Sequence, residues 1–400
     1  MKKVAPQKSF DSQHRPRVGI ALTQGLAFLD KVRLGIVDYA REHGGWTFLF
    51  MPEIIEPSVA SLRQARIDGA VALVLTAKER QIVRSLPFPV VTLGGHIAPG
   101  SIPIVTSNDR GVGQMAAKYF LDLGFKRLGF YGSGNTWYSR ERHAGFSSAA
   151  KEAGAECNSL LVPVSYSAPD QQRQLERWLR GLQPPVGILA SIDMRAAMIV
   201  DTCAHLGLRV PDDVAVMGVD NDQFVCEQGP VPITSIVRDD WKVGWEAAAM
   251  LDCLMSGGTL PKTHVLIEPA RVEARQSTHT IPVSDSFLAG LIADARAHLD
   301  KPFGVEWFVE RGKCSRRWLE MRFQTEIGQT PLAVINRLRV GKARDMLADP
   351  THESLSLSDI AAQCGFADLR RFRIVFYRHT GMTPKQYRRA HPRPPVTSIE

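Results

Sequence analysis

The chain has no apolar run close to the roughly 18–20 residues that a membrane helix requires; its longest candidate lies near Gly69–Thr76. Met1–Val18 carries lysines but no hydrophobic core segment. No secretory signal is therefore expected, and the cytoplasm is the expected compartment. Cysteine is scarce: Cys157, Cys203, Cys226, Cys253, Cys314 and Cys364 are scattered, without a C-x-x-C pair or a neighbouring histidine cluster. That pattern suits free thiols in a reducing environment and argues against a zinc site. Catalytic signatures are also missing. There is no G-x-x-x-x-G-K-[ST], no nucleophile-elbow serine and no H-E-x-x-H, and the eleven histidines are dispersed. The glycines of Y-G-S-G-N-T-W at 131–137 lack the spacing that cradles phosphate and read as a turning loop. An enzyme, a resident metal or a cofactor is not expected, nor is a membrane partner.

What is present is a globular balance. The 400 residues are 44% hydrophobic and 22% charged, enough for two or three domains with proper cores. The net charge of +8 is unevenly placed. Residues 283–400 hold 19 basic against 13 acidic side chains, whereas the first 282 hold 30 against 28. A polyanion partner at the C-terminal end is the natural implication.

From Arg17 to about Pro269, short β-branched runs alternate with amphipathic stretches. Strands are predicted at Val18–Leu22, Thr47–Met51, Ala70–Leu75, Val90–Leu93, Ile102–Thr106, Leu128–Tyr131, Val186–Ala190 and Val214–Val219. Helices are predicted at Val32–Glu42, Val112–Leu123, Arg140–Ala153, Gln171–Leu182 and Ala196–Leu206. Near-continuous apolar strands between such helices indicate parallel sheets covered on both faces, in two Rossmann-like lobes. The polar run Gln276–Ser286 reads as a linker. Only helical patterns follow it, and the proline-rich tail 391–400 is expected to fray. The expected organisation is a two-lobed α/β domain over 16–275, a linker over 276–286, and an all-α domain over 287–390.

The all-α part repeats itself. Val309–Pro331 laid on Ala362–Pro384, a shift of 53 positions, matches Gly312/Gly365, Arg317/Arg370, Phe323/Phe376, Gly328/Gly381, Thr330/Thr383 and Pro331/Pro384. Matching glycines and prolines imply matching turns. In the second copy a short helix, Leu357–Gln363, is followed by Gly365 and by a helix from Leu369 to His379 capped by Asp368. Helix, tight turn and second helix make the pattern whose second helix fits a DNA major groove. Phe372 and Phe376 share its buried face. Leu369, Arg370, Arg371 and Arg373 are the candidate DNA-contacting residues there. In the first copy they are Ser315, Arg316, Arg317, Glu320 and Arg322. Pro331–Pro350 reads as a helix of roughly 18 residues, about 27 Å long. With its ends, it can hold two recognition helices near the 34–36 Å that separates successive major grooves.

This C-terminal stretch resembles the DNA-binding domain of the AraC family of transcription regulators. The resemblance rests on N-R-L-R-x-x-x-A-R-x-M-L at Asn336–Leu347, S-D-I-A-x-x-C-G-F at Ser358–Phe366 and T-G-M-T-P-K-Q-Y-R at Thr380–Arg388. It departs from its own second copy at Phe308, which stands where Ala361 does. The first 280 residues are similar to the sensor domain of the LacI/ribose-binding-protein family. That likeness rests on V-P-D-D-V-A-V-M-G-V-D at Val210–Asp220, S-I-D at Ser191–Asp193, R-x-x-G-F at Arg142–Phe146 and R-V-E-A-R-Q-S-T at Arg271–Thr278. Ser107 and Ile192 differ from that family's habit of an acid and an amide at these places. Together the resemblances imply a periplasmic-binding-protein-like sensor fused to two helix-turn-helix units. They imply a transcription regulator, an activator of sugar catabolism genes or alternatively a repressor that senses another carbohydrate, with double-stranded DNA and a sugar such as xylose as partners. A homodimer and contact with RNA polymerase go with that reading. A solute-binding protein would need an export signal, and a sugar-modifying enzyme a catalytic set.

In open parallel sheets, ligands bind beyond the carboxyl ends of strands. Thr23 and Gln24 end the first strand, Asn108 another, Asp193 follows Val186–Ala190, and Asp220 and Asn221 follow Val214–Val219. Arg142 begins a helix after the 131–137 loop, where Trp137 offers an aromatic face to a sugar's C–H side. These eight are the candidate ligand residues. Asp193 and Asp220 can alternatively cap helices. Crossovers between the lobes are expected around Ser107, Pro232 and Glu268.

Overall fold

The structure is a computed structural model that describes residues 15–23, 26–50, 59–94, 96, 98–163 and 167–390. Gln24, the end of the second predicted strand at Met51 and the tail 391–400 lie outside the described residues.

Chain order gives β1 (Arg17–Ala21), α1 (Ala27–Glu42), β2 (Thr47–Phe50), β3 (Gly69–Leu73), α2 (Ala77–Arg84), β4 (Val90–Leu93) and β5 (Ile104–Ser107). Next come α3 (Asp109–Leu123), β6 (Arg127–Gly132), α4 (Trp137–Glu152), β7 (Glu156–Leu161), α5 (Ala168–Gly181), β8 (Val186–Ala190) and α6 (Asp193–Leu206). The sensor ends with β9 (Val214–Val219), α7 (Gln223–Glu227), β10 (Thr234–Arg238), α8 (Asp240–Met255), β11 (His264–Ile267) and β12 (Pro269–Glu273). Among the described residues two six-stranded sheets result, ordered β11-β5-β4-β3-β1-β2 and β12-β10-β9-β8-β6-β7. Every pairing is parallel except that β12 runs antiparallel to β10. Strands β3, β4, β8 and β9 are buried throughout, as strands covered on both faces must be.

Among the described residues the chain passes between lobes three times. It leaves β5 at Asn108, returns after β10 at Asp239, and crosses again from β11 to β12 at Glu268. The middle crossing thus lies seven residues beyond Pro232. Pro232 instead sits in the turn before β10, where its carbonyl accepts the Ser277 N–H at 2.9 Å.

Both returning helices carry V-G-x-x-A-A, at Val112–Ala117 and Val243–Ala248. The glycines explain why. A Cβ on Gly113 would lie 2.0 Å from the Arg142 carbonyl oxygen, and one on Gly145 2.0 Å from that of Arg110, so α3 and α4 touch backbone to backbone. Gly35 and Gly244 do the same for α1 and α8, at 2.0 Å from the carbonyls of Trp241 and Val32. Gly113→Ala is therefore expected to lower stability by at least the roughly 1–3 kcal/mol of an overpacked core. Urea unfolding followed by fluorescence measures this; an unchanged midpoint would show that the helices have room to part.

The polar segment after β12 is built in rather than loose. The Ser277 hydroxyl donates to the Val216 carbonyl at 2.6 Å and accepts the Thr234 N–H at 2.8 Å. Ile281 and Val283 enter the core of the first helical unit. The helical domain comprises α9 (Ser286–Ala297), α10 (Val305–Gly312), α11 (Arg316–Ile327), α12 (Pro331–Ala348), α13 (Leu357–Gln363), α14 (Leu369–Thr380) and α15 (Pro384–Ala390). It has two cores that share one rod. Val334, Ile335 and Leu338 of α12 pack with Phe308, Leu319 and Phe323. Val340, Ala343, Met346 and Leu347 pack with Ile360, Phe372 and Phe376. Between them the Arg339 guanidinium lies 4.9 Å from the Phe303 ring and 5.8 Å from that of Phe366. Among the described residues no helix is long and apolar enough to cross a membrane.

Candidate ligand cleft and nucleic-acid interface

The candidate ligand site is built where the crossovers meet the carboxyl ends of the strands. Asn108 and Asp239 cap α3 and α8, accepting from the N–H groups of Gly111 at 3.0 Å and Lys242 at 3.1 Å. The next residue of each, Asp109 and Asp240, is buried and ionic. Arg142, 1% exposed, donates through Nε to Asp109 at 2.8 Å, through Nη1 to the Ser191 carbonyl, and lies 3.7 Å from Asp220. Arg238 donates to Asp220 at 3.0 Å and through Nε to Asp240 at 3.0 Å. The chain of charges is thus Asp109–Arg142–Asp220–Arg238–Asp240, and it joins both lobes at the hinge.

The environment shifts these groups. Burial raises the pKa of Asp109 and of Asp240, opposed by Arg142 and Arg238 respectively. Burial works against the Arg238 charge, but Asp240, Asp220 and Asp109 outweigh it and hold its pKa above the ordinary value. Asp220 and Asn221 adopt left-handed backbone, with φ of 106° and 50°. Such strain in non-glycine residues collects at functional sites. Aromatic faces flank the charges. Phe28 of α1 lies 4.9 Å under Arg238, and Tyr138 of α4 lies 5.1 Å from Arg142. The buried hydroxyls of Ser107 and Ser191, and Oδ2 of Asp240, have no protein partner among the described residues. Forked donors, carboxylates and hydroxyls between two rings can bind a polyol face on and edge on.

Of the residues predicted from sequence, the structure brings Arg142 and Asp220 directly together. Asp193 stands behind them, and it caps no helix: its carboxylate accepts the Ser235 hydroxyl at 2.6 Å and the Asp222 N–H at 2.8 Å. Asp222, not Asp220, caps α7. Asn108 is taken up by the hinge, its amide donating to Glu268 at 2.8 Å. Trp137 opens α4 at the lobe boundary, where its backbone N–H donates to the His96 carbonyl at 2.9 Å and its ring lies 6.4 Å from the His264 ring. The Thr23 carbonyl receives Arg33 at 2.6 Å. Asn221 lines a separate cavity that reaches α12 and α15. Asp109, Arg238, Asp240, Phe28 and Tyr138 were missed. The repeat of V-G-x-x-A-A at a shift of 131 positions sets Asn108–Asp109 on Asp239–Asp240, and it was the available signal.

At the other end, the two helix-turn-helix units present α11 and α14. Ser315 and Asp368 cap them, accepting the N–H groups of Trp318 at 3.2 Å and Arg371 at 2.6 Å. The turns are not identical. Gly365 has φ of 70°, but in the first unit the left-handed residue is Lys313, with φ of 48°. Gly312 is required for space instead, since a Cβ there would lie 2.9 Å from the Phe287 ring. Bulky Phe308 is fully buried, 5.3 Å from Phe323.

Arg317, Arg370, Arg371 and Arg373 are exposed, and no ion pair engages them among the described residues. Arg316 is held by Glu306 at 2.6 Å and Glu320 at 2.9 Å. Arg322 pairs with Asp285 and lies over Trp318 at 5.5 Å, which ties α11 to the start of α9. Leu369 is half-buried against the core of the second unit. Sequence reasoning passed over Met321 and Ile374, equivalent positions that are 62% and 46% exposed on the two recognition helices.

Comparison with known proteins agrees with this division. Residues 117–278 match a periplasmic binding protein-like domain, and residues 309–390 match a helix-turn-helix domain. The chain is 27% identical over 386 residues to the xylose operon regulatory protein of Escherichia coli K12, covering 94% of this chain and 97% of that protein. Over 105 residues it is 38% identical to the activator RhaR of Escherichia coli, covering 26% of this chain and 36% of RhaR. A solved structure described as the xylose-binding transcription activator xylR superposes with a TM-score of 0.68 at 25% identity, covering 95% of this chain and 99% of that one. The chain is a homologue of the xylose operon regulators along nearly its whole length, carrying a periplasmic-binding-protein-like domain followed by an AraC-type helix-turn-helix domain.

Proposed function

We propose that this protein is a transcription regulator, an activator, whose grip on its operator is set by a pentose such as xylose bound between the lobes of the sensor. The observation that carries this reading is the buried Asp109–Arg142–Asp220–Arg238–Asp240 network at the crossovers, in a chain that also holds two helix-turn-helix units on one rod. Sugar hydroxyls replace part of that pairing and favour one relation of the lobes over another. A ligand shifts such a balance only by its differential affinity for the two shapes. The protein acts in the cytoplasm as a homodimer, without an enzymatic step, and engages RNA polymerase once on DNA. Leu34 and Trp241, exposed where α1 and α8 cross, supply the apolar contact between protomers.

The test is a titration of full-length protein with xylose, arabinose, ribose, glucose and cellobiose while operator affinity is followed. One sugar is expected to change affinity at least tenfold; no response to any of the five overturns the reading. On DNA, Arg370→Ala is expected to cost about 1–3 kcal/mol and relax preference at one base pair. A loss shared equally by random DNA would make Arg370 a phosphate contact, which would show as a shallower salt dependence.

A further inference from the structure

A cavity of about 550 Å³ lies between the second lobe and the helical domain, far along α3 from the sugar cleft. Tyr119 and Leu123 of α3 form one wall, the segment 276–281 a second, and α12 the third, with His379 at the end of α14. Its charge is one-sided: among the described residues, Arg296, Arg337, Lys342 and Arg344 face a single carboxylate, Asp345. Asp345 is engaged by His279 at 3.4 Å, and Arg296 by Asp212. Arg337 has no carboxylate partner among the described residues; its hydrogen bonds go to the carbonyls of Thr280 at 3.1 Å and Leu123 at 3.5 Å. Arg344 donates to the Tyr387 hydroxyl at 3.0 Å. The Nε2 atom of His279 is buried without a protein partner. A half-buried guanidinium bonded only to carbonyls calls for an anion. Pro211, Val272, Ile281, Leu299 and Leu338 give the cavity an apolar wall, and Gln276, Thr278 and Thr280 add polar groups to it.

One further residue is unexplained by packing. Gly341 lies inside the 18-residue helix α12, where glycine costs about 1 kcal/mol against alanine. A Cβ there would meet nothing closer than His279, at 3.9 Å. Sterics do not demand glycine; a side chain would simply enter the cavity.

We propose that this cavity is a second effector site, for a small organic anion bearing a phosphate or carboxylate group, and that Gly341 keeps it open. Arg337, Lys342 and Arg344 hold the anion while the apolar wall takes its carbon skeleton. Because the walls come from both domains, occupancy fixes their relative placement and adds to whatever the sugar does. The site is independent of the sugar reading, since neither its residues nor its chemistry involve the cleft.

The experiment uses calorimetry and thermal melts of full-length protein with inorganic phosphate, glucose 6-phosphate and citrate as probes. At least one is expected to bind once per chain and raise Tm. Binding of inorganic phosphate with glucose 6-phosphate identifies the phosphate group, and binding of citrate alone identifies the carboxylate. Gly341→Leu is expected to raise Tm without any probe, weaken anion binding at least tenfold and leave sugar binding unchanged. Lys342→Glu is expected to weaken it by a similar factor. Absence of binding by all three probes overturns the proposal, as does binding that survives Gly341→Leu.

Discussion

Arg142→Met is expected to remove about 3–5 kcal/mol of stability and to abolish sugar binding. The size follows from burial rather than from the strength of any one bond. Arg142 and Asp109 are 1% and 2% exposed along their side chains, so removing the guanidinium strands a carboxylate in a medium that cannot solvate it. Asp109 already has a raised pKa, with burial the leading cause and Arg142 the main restraint on it. The double variant Arg142→Met, Asp109→Asn is expected to recover part of the loss, because no charge is then left unpaired. Denaturant midpoints of the two single variants and the double variant, read as a cycle, measure the coupling. A purely additive cycle would show that the pair stabilises nothing jointly.

A pH dependence of similar size is expected from Asp193. Burial, then the charge of Asp220, push its pKa to about 7, against the pull of the Ser235 hydroxyl and the Asp222 N–H. The unfolded chain releases this proton near pH 4. Between about pH 4 and 7 the native chain therefore holds a proton that the unfolded chain has lost. This group's contribution is complete at the acid end of that window and falls as pH rises through it. Three pH units amount to about 4 kcal/mol. Asp193→Asn, neutral at every pH, is expected to flatten this part of the stability profile and to gain on the parent most above pH 7. Parallel profiles for parent and variant between pH 4 and 7.5 would place the Asp193 pKa near its ordinary value.

Legibility from sequence followed the range of the interactions. The helix-turn-helix units were readable almost to the residue, because their signals are local: Ser315 and Asp368 cap, Gly328 and Gly381 end helices with φ near 70°, and Thr330 and Thr383 start the next ones. The apolar strands β3, β8 and β9 were equally plain. Strand β7, E-C-N-S-L-L, is an edge strand with mostly exposed residues and carries no alternation to detect. At the candidate site, Asp220 was legible as a polar residue at a strand end and Arg142 as a helix residue after the 131–137 loop. Their partners were not, because Asp109 and Asp240 look like first-turn acids of helices, where such residues are common. Only folding brings Asp109 to Arg142 and Asp220 to Arg238, across 33 and 18 residues of chain. The segment 276–286 looked like a tether for its polarity, yet Ser277, Thr278 and Thr280 are buried because each hydroxyl finds a partner.

Helix α3 begins at Asp109 among the hinge charges and ends at Leu123, whose carbonyl receives Arg337 of the rod that carries both recognition helices. Its 15 residues make a lever arm of about 22 Å. A swing of about 5° at the fulcrum moves the tip by roughly 2 Å, the scale on which helix shifts at interfaces switch proteins between states. With the polar segment pinned at both ends there is little slack to absorb that stroke, so the two helix-turn-helix units on α12 are expected to tilt as one piece.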